Sequence, residues 1–379
     1  MGVRQGAFCG CVSLALTTLV RDEVTPGEEV HGILELSSKS LASARQNNLN
    51  LLRLFAASLV VFGHAFVFLG KTGPDLLGFH PGALGVYIFF CVSGFLVAQS
   101  WDRDPDFKRF MARRALRIFP ALVVCVLATV LILGPLFSSL GWQAYFRSPD
   151  TWGYLRNIGL YIVYSLPGVF TENCYKNAVN GSLWTLPVEF AMYLILAVSS
   201  LIVRNRLFCA FLAVVWCFVS FLWAKESGSM YVVYGTDLRQ LFMCGVYFWI
   251  GASVNRAGLQ RFLNMKVAAC ALLLHFLVAP YPSFSFVSNW FIIPILALSF
   301  GLRPAIPAVS KLLQNRDYSY GIYIYAFPVQ QSIACLYPHM SIAPYLVLSA
   351  VLIVFCASLS WHLVEKPFLS LKPFCPSGN

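Results

Sequence analysis

From Leu49 onward the chain is a succession of apolar runs, most of them near twenty residues long, separated by short polar breaks. A helix that crosses a bilayer needs about 20 apolar residues, and hydrocarbon tolerates only elements that satisfy their own backbone groups. The runs at 49–69, 83–100, 118–141, 182–203, 207–224, 236–254, 263–280, 284–302, 319–337 and 342–364 therefore predict an all-α fold. The expected architecture is a polytopic transmembrane helix bundle with about ten membrane-spanning helices. The seventh run is the weakest, with Lys266 near its start and Pro280 and Pro282 at its end. The stretch 154–170 is apolar but short and carries Arg156, so it is expected at the membrane interface. Charged residues make up 11% of the 379, under half of the roughly 25% of a soluble domain. An ordinary soluble enzyme, a disordered chain and a fibrous one are all excluded.

The net charge of +11 has a topological reading. With a cytoplasmic start, 20 of the 27 Lys and Arg fall in inner breaks and the two tails. Five fall in outer breaks (Lys71, Arg147, Arg156, Lys176 and Lys225), and Arg53 and Arg239 lie inside runs. This positive-inside bias predicts an even number of crossings with both termini cytoplasmic. The basic excess thus orients the chain; no zinc-finger spacing or basic–aromatic stripe points to nucleic acid, and the expected partner is the lipid bilayer. Residues 1–48 are read as a weakly structured cytoplasmic N-terminal extension, 49–366 as the transmembrane domain and 367–379 as a cytoplasmic tail. The twelve cysteines are expected to pack as small hydrophobes, since no Cys-x-x-Cys pair or metal-ligand spacing occurs.

An ionisable group at mid-bilayer costs at least about 2.5–3.5 kcal/mol, so each one needs a reason. In LLRLFAASLVVFGHAF, Arg53 and His64 are eleven residues apart. That spacing returns to within about 20° of the same helix face, with a rise of roughly 16.5 Å. One stripe thus carries a permanent cation and a titratable imidazole. Glu189, in NGSLWTLPVEFAMYL, lies at a similar depth to His64 and is a candidate to orient the imidazole, as an acid does in a triad. Asp237, Arg239 and Glu365 sit at run ends and read as interfacial anchors. In FKRFMARRALRIFP, the first inner break, Arg114 and Arg117 are three apart on one helix face. Guanidiniums bind phosphates bidentately, which suits an anionic donor from the cytosol. His80, His275, His339 and His362 lack metal-ligand spacing, and no Walker loop, dinucleotide fingerprint or nucleophile elbow is present.

This constellation resembles the acyltransferase 3 family of membrane O-acyltransferases, which modify cell-surface carbohydrates. The resemblance runs from about Leu49 to Phe368, through Arg53-x10-His64, residues 85–98, RRALRIFP (113–120), LPGVF (166–170), NGSLWTLPVEF (180–190) and SYGIYIYAFP (319–328). Two departures stand out: Tyr87 replaces a common Asp and Ala326 a common His, so neither position is expected to do acid–base work. The chain after residue 366 is too short for the hydrolase-like domain some members carry, which implies a stand-alone enzyme.

The resemblance implies transfer of an acyl group, most simply acetyl, from cytoplasmic acyl-CoA to a hydroxyl of a cell-surface or lipid-linked polysaccharide, with no metal. Arg114 and Arg117 would hold the CoA phosphates, and Arg53 would help draw in the donor. His64 would act as general base or as an acyl relay, oriented by Glu189. Asn180, Ser182 and Trp184 would shape the acceptor mouth. The implied setting is a bacterial inner membrane, with polysaccharide-assembly proteins as candidate partners. The competing reading is a secondary transporter or flippase with a His64–Glu189 proton relay, which predicts interrupted helices in matching halves.

Overall fold

The bundle begins where Asn48 ties it down. Its side-chain Nδ2 donates to the Pro304 carbonyl at 3.0 Å, and its Oδ1 accepts from the Ile306 amide at 3.0 Å. Asn47 forms an isolated bridge with the same Pro304. These two residues therefore belong to the folded body, not to the extension in which the sequence reading placed them. The computed structural model describes residues 47–203, 205–224, 231–308 and 316–371. The predicted extension up to residue 46 and most of the predicted tail lie outside the described residues.

Ten long helices follow in order: α1 (Leu49–Phe68), α2 (Pro81–Arg103), α3 (Phe107–Ala128), α4 (Thr185–Ile202), α5 (Phe208–Ala224), α6 (Leu238–Arg256), α7 (Met265–Val278), α8 (Pro282–Gly301), α9 (Ser319–Leu336) and α10 (Ile342–Ser360). Among the described residues each overlaps a predicted run, α3 only over 118–128. Among the described residues, six segments are long and apolar enough to cross a membrane: α1, α2, α3 extended to Phe137, α4 with its preceding 3-10 turn, α8, and α10 extended to Ser370. Helices α5 and α7 are apolar but shorter. The 14 residues of α7 span about 21 Å, less than the roughly 30 Å of a hydrocarbon core.

Helix α9 carries side-chain amides that bond to another helix and to a loop inside the bundle. Gln330 Nε2 donates to the Val61 carbonyl at 2.9 Å, and Gln331 Nε2 to the Ala178 carbonyl at 2.9 Å. The lipid-side surface is apolar, as at Val347, Val351 and Phe355 on α10 and Leu273, Leu274 and Leu277 on α7.

One boundary differs from expectation. Helix α3 starts at Phe107, eleven residues before the predicted run, because Asp106 caps it by accepting from the Arg109 amide at 2.7 Å. The basic break is therefore mostly helix. Segment 154–170 holds only a 3-10 turn, Tyr154–Gly159, ahead of irregular chain. Asp237 caps α6 and pairs with Arg239 at 2.9 Å, a local role at the helix end. No disulfide occurs among the described cysteines. Cys91, Cys125, Cys209 and Cys244 are buried as expected, but Cys174, Cys270 and Cys335 are exposed, so packing does not account for those three.

Helix α2 is the most enclosed of the candidate spans. It meets α6 backbone to backbone through two glycines. A Cβ on Gly94 would lie 1.9 Å from the Phe248 carbonyl oxygen, and one on Gly251 would lie 2.1 Å from that of Cys91. Small residues allow this approach, on which dispersion between membrane helices depends. Overpacking costs about 1–3 kcal/mol where side chains can yield; here the obstacle is backbone and the cost is larger. Gly94→Val or Gly251→Val is expected to abolish the monodisperse peak in fluorescence-detected gel filtration. Gly141→Val, with nothing within 4 Å of the added carbon, is expected to leave it intact.

Candidate functional site

Two cavities lie on the same three elements: α1, α9, and α4 with its 3-10 turn. The first is small, about 50 Å³, and is lined by Arg53, Arg117, Glu189, Ser319, Tyr320, Tyr323 and Thr185 together with apolar side chains of α2. The second is about 580 Å³ and is lined by His64, His80, Tyr164, Tyr175, Lys176, Trp184, Gln240 and Phe327 among others. The eleven-residue spacing of Arg53 and His64 sets the axial separation of the two, about 16.5 Å along α1.

The arginine cavity is built on a buried ion cluster. Arg53 pairs with Asp317, and Arg117 Nη2 reaches the same carboxylate at 2.7 Å. Arg117 Nη1 lies 3.7 Å from Glu365, and its guanidinium sits over the Tyr320 ring at 5.5 Å. Asp317 Oδ1 also accepts from the Ser319 amide at 3.2 Å. Burial alone would raise the Asp317 carboxyl, but Arg117 and Arg53 outweigh it and hold the group well below the usual carboxylate range. Two cations thus face two carboxylates, which is how buried charge is tolerated.

The sequence reading did not single out Asp317, and it took Glu365 for an interfacial anchor. Glu365 is 2% exposed and ends a π-turn, Trp361–Glu365. The extra residue of that turn re-phases the helix and points the carboxylate inward. The proximity of Asp317 to the SYGIYIYAFP stretch was the available signal.

Arg114 and Arg117 have different surroundings. Three residues leave them about 60° apart around the helix axis, enough to send them to different surroundings. Arg114 packs against the Phe110 and Tyr193 rings, 5.7 and 5.8 Å from their centroids, and donates to Ser100 at 3.4 Å. Arg113 is buried in an ion pair with Asp104 at 2.6 Å. Hydrogen bonds from Arg109 and Arg113 hold that carboxyl below its ordinary range.

Glu189 is not joined to His64. Its Oε1 accepts from Ser93 at 3.2 Å and from Tyr193, one turn further along α4. It lines the arginine cavity and His64 lines the other, so Glu189 cannot set the imidazole tautomer as expected.

In the wide cavity His64 packs against Phe68 and Phe327, with ring centroids 5.5 and 5.3 Å away. Its Nδ1 is enclosed with no hydrogen-bond partner, so Nε2 is the nitrogen able to meet a group entering the cavity. His80, unassigned by the sequence reading, shares the cavity. It is the N-cap of α2, its Nδ1 accepting from the Gly82 amide at 3.2 Å. The His-Pro-Gly order ahead of an apolar run was the sequence sign of that cap.

Of the three residues expected at the acceptor mouth, only Trp184 lines the cavity. Asn180 is 1% exposed and caps the 3-10 turn, its Nδ2 donating to the Ile324 carbonyl at 2.8 Å. Ser182 is buried, and its carbonyl accepts from the Tyr323 hydroxyl at 3.0 Å. Tyr87 stacks on Tyr247 at 4.4 Å and Ala326 is fully buried; both serve packing.

An apolar helical exterior around two cavities, one lined by paired charges and one by an imidazole, suits a membrane-embedded enzyme. The chain belongs to the acyltransferase 3 family: the family model described as an acyltransferase domain matches residues 46–362. It is similar to an O-acetyl transferase of Shigella phage Sf6, 34% identical over 333 residues that cover 86% of this chain and 97% of the relative. It is also similar to nodulation protein 10 of Rhizobium leguminosarum bv. viciae, at 31% identity, covering 88% and 96%. A third relative is the peptidoglycan O-acetyltransferase OatA of Listeria monocytogenes, 25% identical over 76% of this chain and 51% of that protein. No solved structure is a significant match. By class the chain is an O-acetyltransferase.

The ion cluster gives a test of the structure. Removing one partner of a buried pair costs about 3–5 kcal/mol, so Asp317→Asn is expected to lower stability by that order. Because the folded carboxyl is depressed, its contribution is complete above the unfolded value of about 3.9 and is lost as pH falls through the folded value. Thermal unfolding in detergent should show a gap between wild type and Asp317→Asn that is flat from pH 5 upward and narrows below about pH 4.

Proposed function

We propose that this enzyme moves an acetyl group from cytoplasmic acetyl-CoA to a hydroxyl of a cell-surface or lipid-linked glycan. It would do so in a bacterial inner membrane, with ten crossings and both termini cytoplasmic. The observation that carries the reading is the half-buried His64, enclosed at Nδ1 and facing a cavity wide enough for a sugar. The names of the phage and Listeria relatives support acetyl as the group, and the latter supports a glycan acceptor.

In the proposed reaction the thioester approaches from the arginine cavity and the hydroxyl from the histidine cavity. His64 Nε2 takes the hydroxyl proton as the sugar oxygen attacks the thioester carbon. The carbon–sulfur bond then breaks, and the proton passes to the departing CoA thiolate. Such general-base help contributes about 10² to 10⁴ in rate. Transient acylation of His64, followed by attack of the hydroxyl, is the second route for the same residue.

The arginines take a revised part. Arg53 and Arg117 are already neutralised by Asp317 and Glu365, so this cavity suits the neutral pantetheine arm better than phosphates. The anionic end of CoA would meet the exposed Arg103, Lys108 and Arg303 at the same end of the bundle. A proton relay in a transporter required His64 and Glu189 to face one another; they line different cavities, and the family argues for group transfer.

His64→Ala is expected to lower transfer at least about 10²-fold while the protein still inserts and elutes as wild type. Mass spectrometry of surface glycans from cells carrying wild-type, His64→Ala or no enzyme measures this. Equal O-acetyl content in all three overturns the proposal.

A further inference from the structure

The two cavities share no lining residue. A hydrogen-bonded layer sits where their linings approach each other along α4 and α9. The Tyr323 hydroxyl donates to the Ser182 carbonyl at 3.0 Å and meets the Thr185 Oγ1 at 2.8 Å. The Tyr323 ring is braced by Phe89, with centroids 5.7 Å apart. Tyr323 and Thr185 are 7% and 6% exposed, and both line the arginine cavity only. One turn further on, Gly181 and Phe327 line the histidine cavity, where a Cβ on Gly181 would sit 2.5 Å from the Phe327 ring. Along α9 the order is Ser319, Tyr320, Tyr323, then Phe327; along α4 it is Glu189, Thr185, then Trp184. Tyr323 and Thr185 therefore sit at the boundary on both elements.

We propose that Tyr323 and Thr185 form a septum that sets the length of the acyl group this enzyme transfers. The inference rests on the proposed function, since it needs a thioester in the arginine cavity and His64 beyond it. An acyl group must pass this layer to reach the imidazole. The space before it, about 50 Å³, is under a tenth of the space behind it. Packed interiors have little room for an added methylene, and one methylene commonly changes discrimination about 10–200-fold. A two-carbon group can be admitted by a small displacement of the phenol. A four-carbon group needs the volume the ring itself occupies. The hydrogen bonds to Ser182 and Thr185 resist the rotation that would vacate it.

The test is the ratio of kcat/KM for acetyl-CoA over butyryl-CoA, with purified protein in lipid nanodiscs and the glycan acceptor. Wild type is expected to favour acetyl by at least about 10². Tyr323→Ala and Thr185→Ala are expected to reduce that ratio at least about 10-fold, whatever their absolute rates. Tyr323→Phe, which keeps the ring, should retain most of the discrimination. If Tyr323→Ala does not fold, Thr185→Ala and Tyr323→Leu decide the matter. Transfer by wild type with the ratio unmoved in the small-residue variants overturns the septum alone. Wild type that uses no acyl-CoA overturns the donor reading, and the septum falls with it.

Discussion

The cluster of Arg53, Arg117, Asp317 and Glu365 organises one end of this bundle. Its members come from α1, α3, the residues just before α9 and the π-turn after α10. Four elements distant in sequence must therefore arrive together or leave a charge unpaired in a medium that does not forgive it. Packing alone is a weak guide in a membrane, where lipid tails are as apolar as leucine. A balanced set of buried charges supplies the specificity that hydrophobicity cannot.

How much of this was legible in the sequence depended on which periodicity carried it. The apolar runs became helices because hydrocarbon permits little else to a segment that spans it, and Arg53 and His64 lined up because eleven residues nearly complete three turns. Regular helices extrapolate well. The misses occur where a helix is irregular or where a contact is local. Glu365 was misplaced because a π-turn rotates it. Asp317 was overlooked because it lies in a break, outside any run. Glu189 shares the depth of neither His64 nor its cavity, having a hydroxyl partner at Tyr193 on its own helix. Asn180 and Ser182, conspicuous in a polar motif, turned out to be the cap and the buried carbonyl that shape the entry to α4.

Among the described residues no carboxylate pairs with His64, and this bears on the chemistry proposed for it. In a triad the acid fixes the tautomer through Nδ1 and steadies the imidazolium. Here Nδ1 is enclosed, and the ring is held by Phe68 and Phe327. Orientation is enforced by shape and not by an ion pair. An imidazole without a nearby anion gains no help in keeping a proton, so a mechanism that passes the proton on quickly suits it better than one that stores it. In the proposed transfer the departing thiolate is such a sink.

The same reasoning links the two ends. A donor carrying several phosphates would be drawn to a cationic surplus, yet Arg53 and Arg117 offer none, since each already faces a carboxylate. Attraction then belongs to exposed cations at the mouth, and the interior selects on width and neutrality. A balanced ion cluster, a narrow chamber and a hydrogen-bonded septum would, under the proposed function, act in series on the slender arm of the donor, with His64 beyond them. Under the proposed function, what reaches the imidazole is decided before any proton moves, and specificity resides on the donor path, away from the base that completes the reaction.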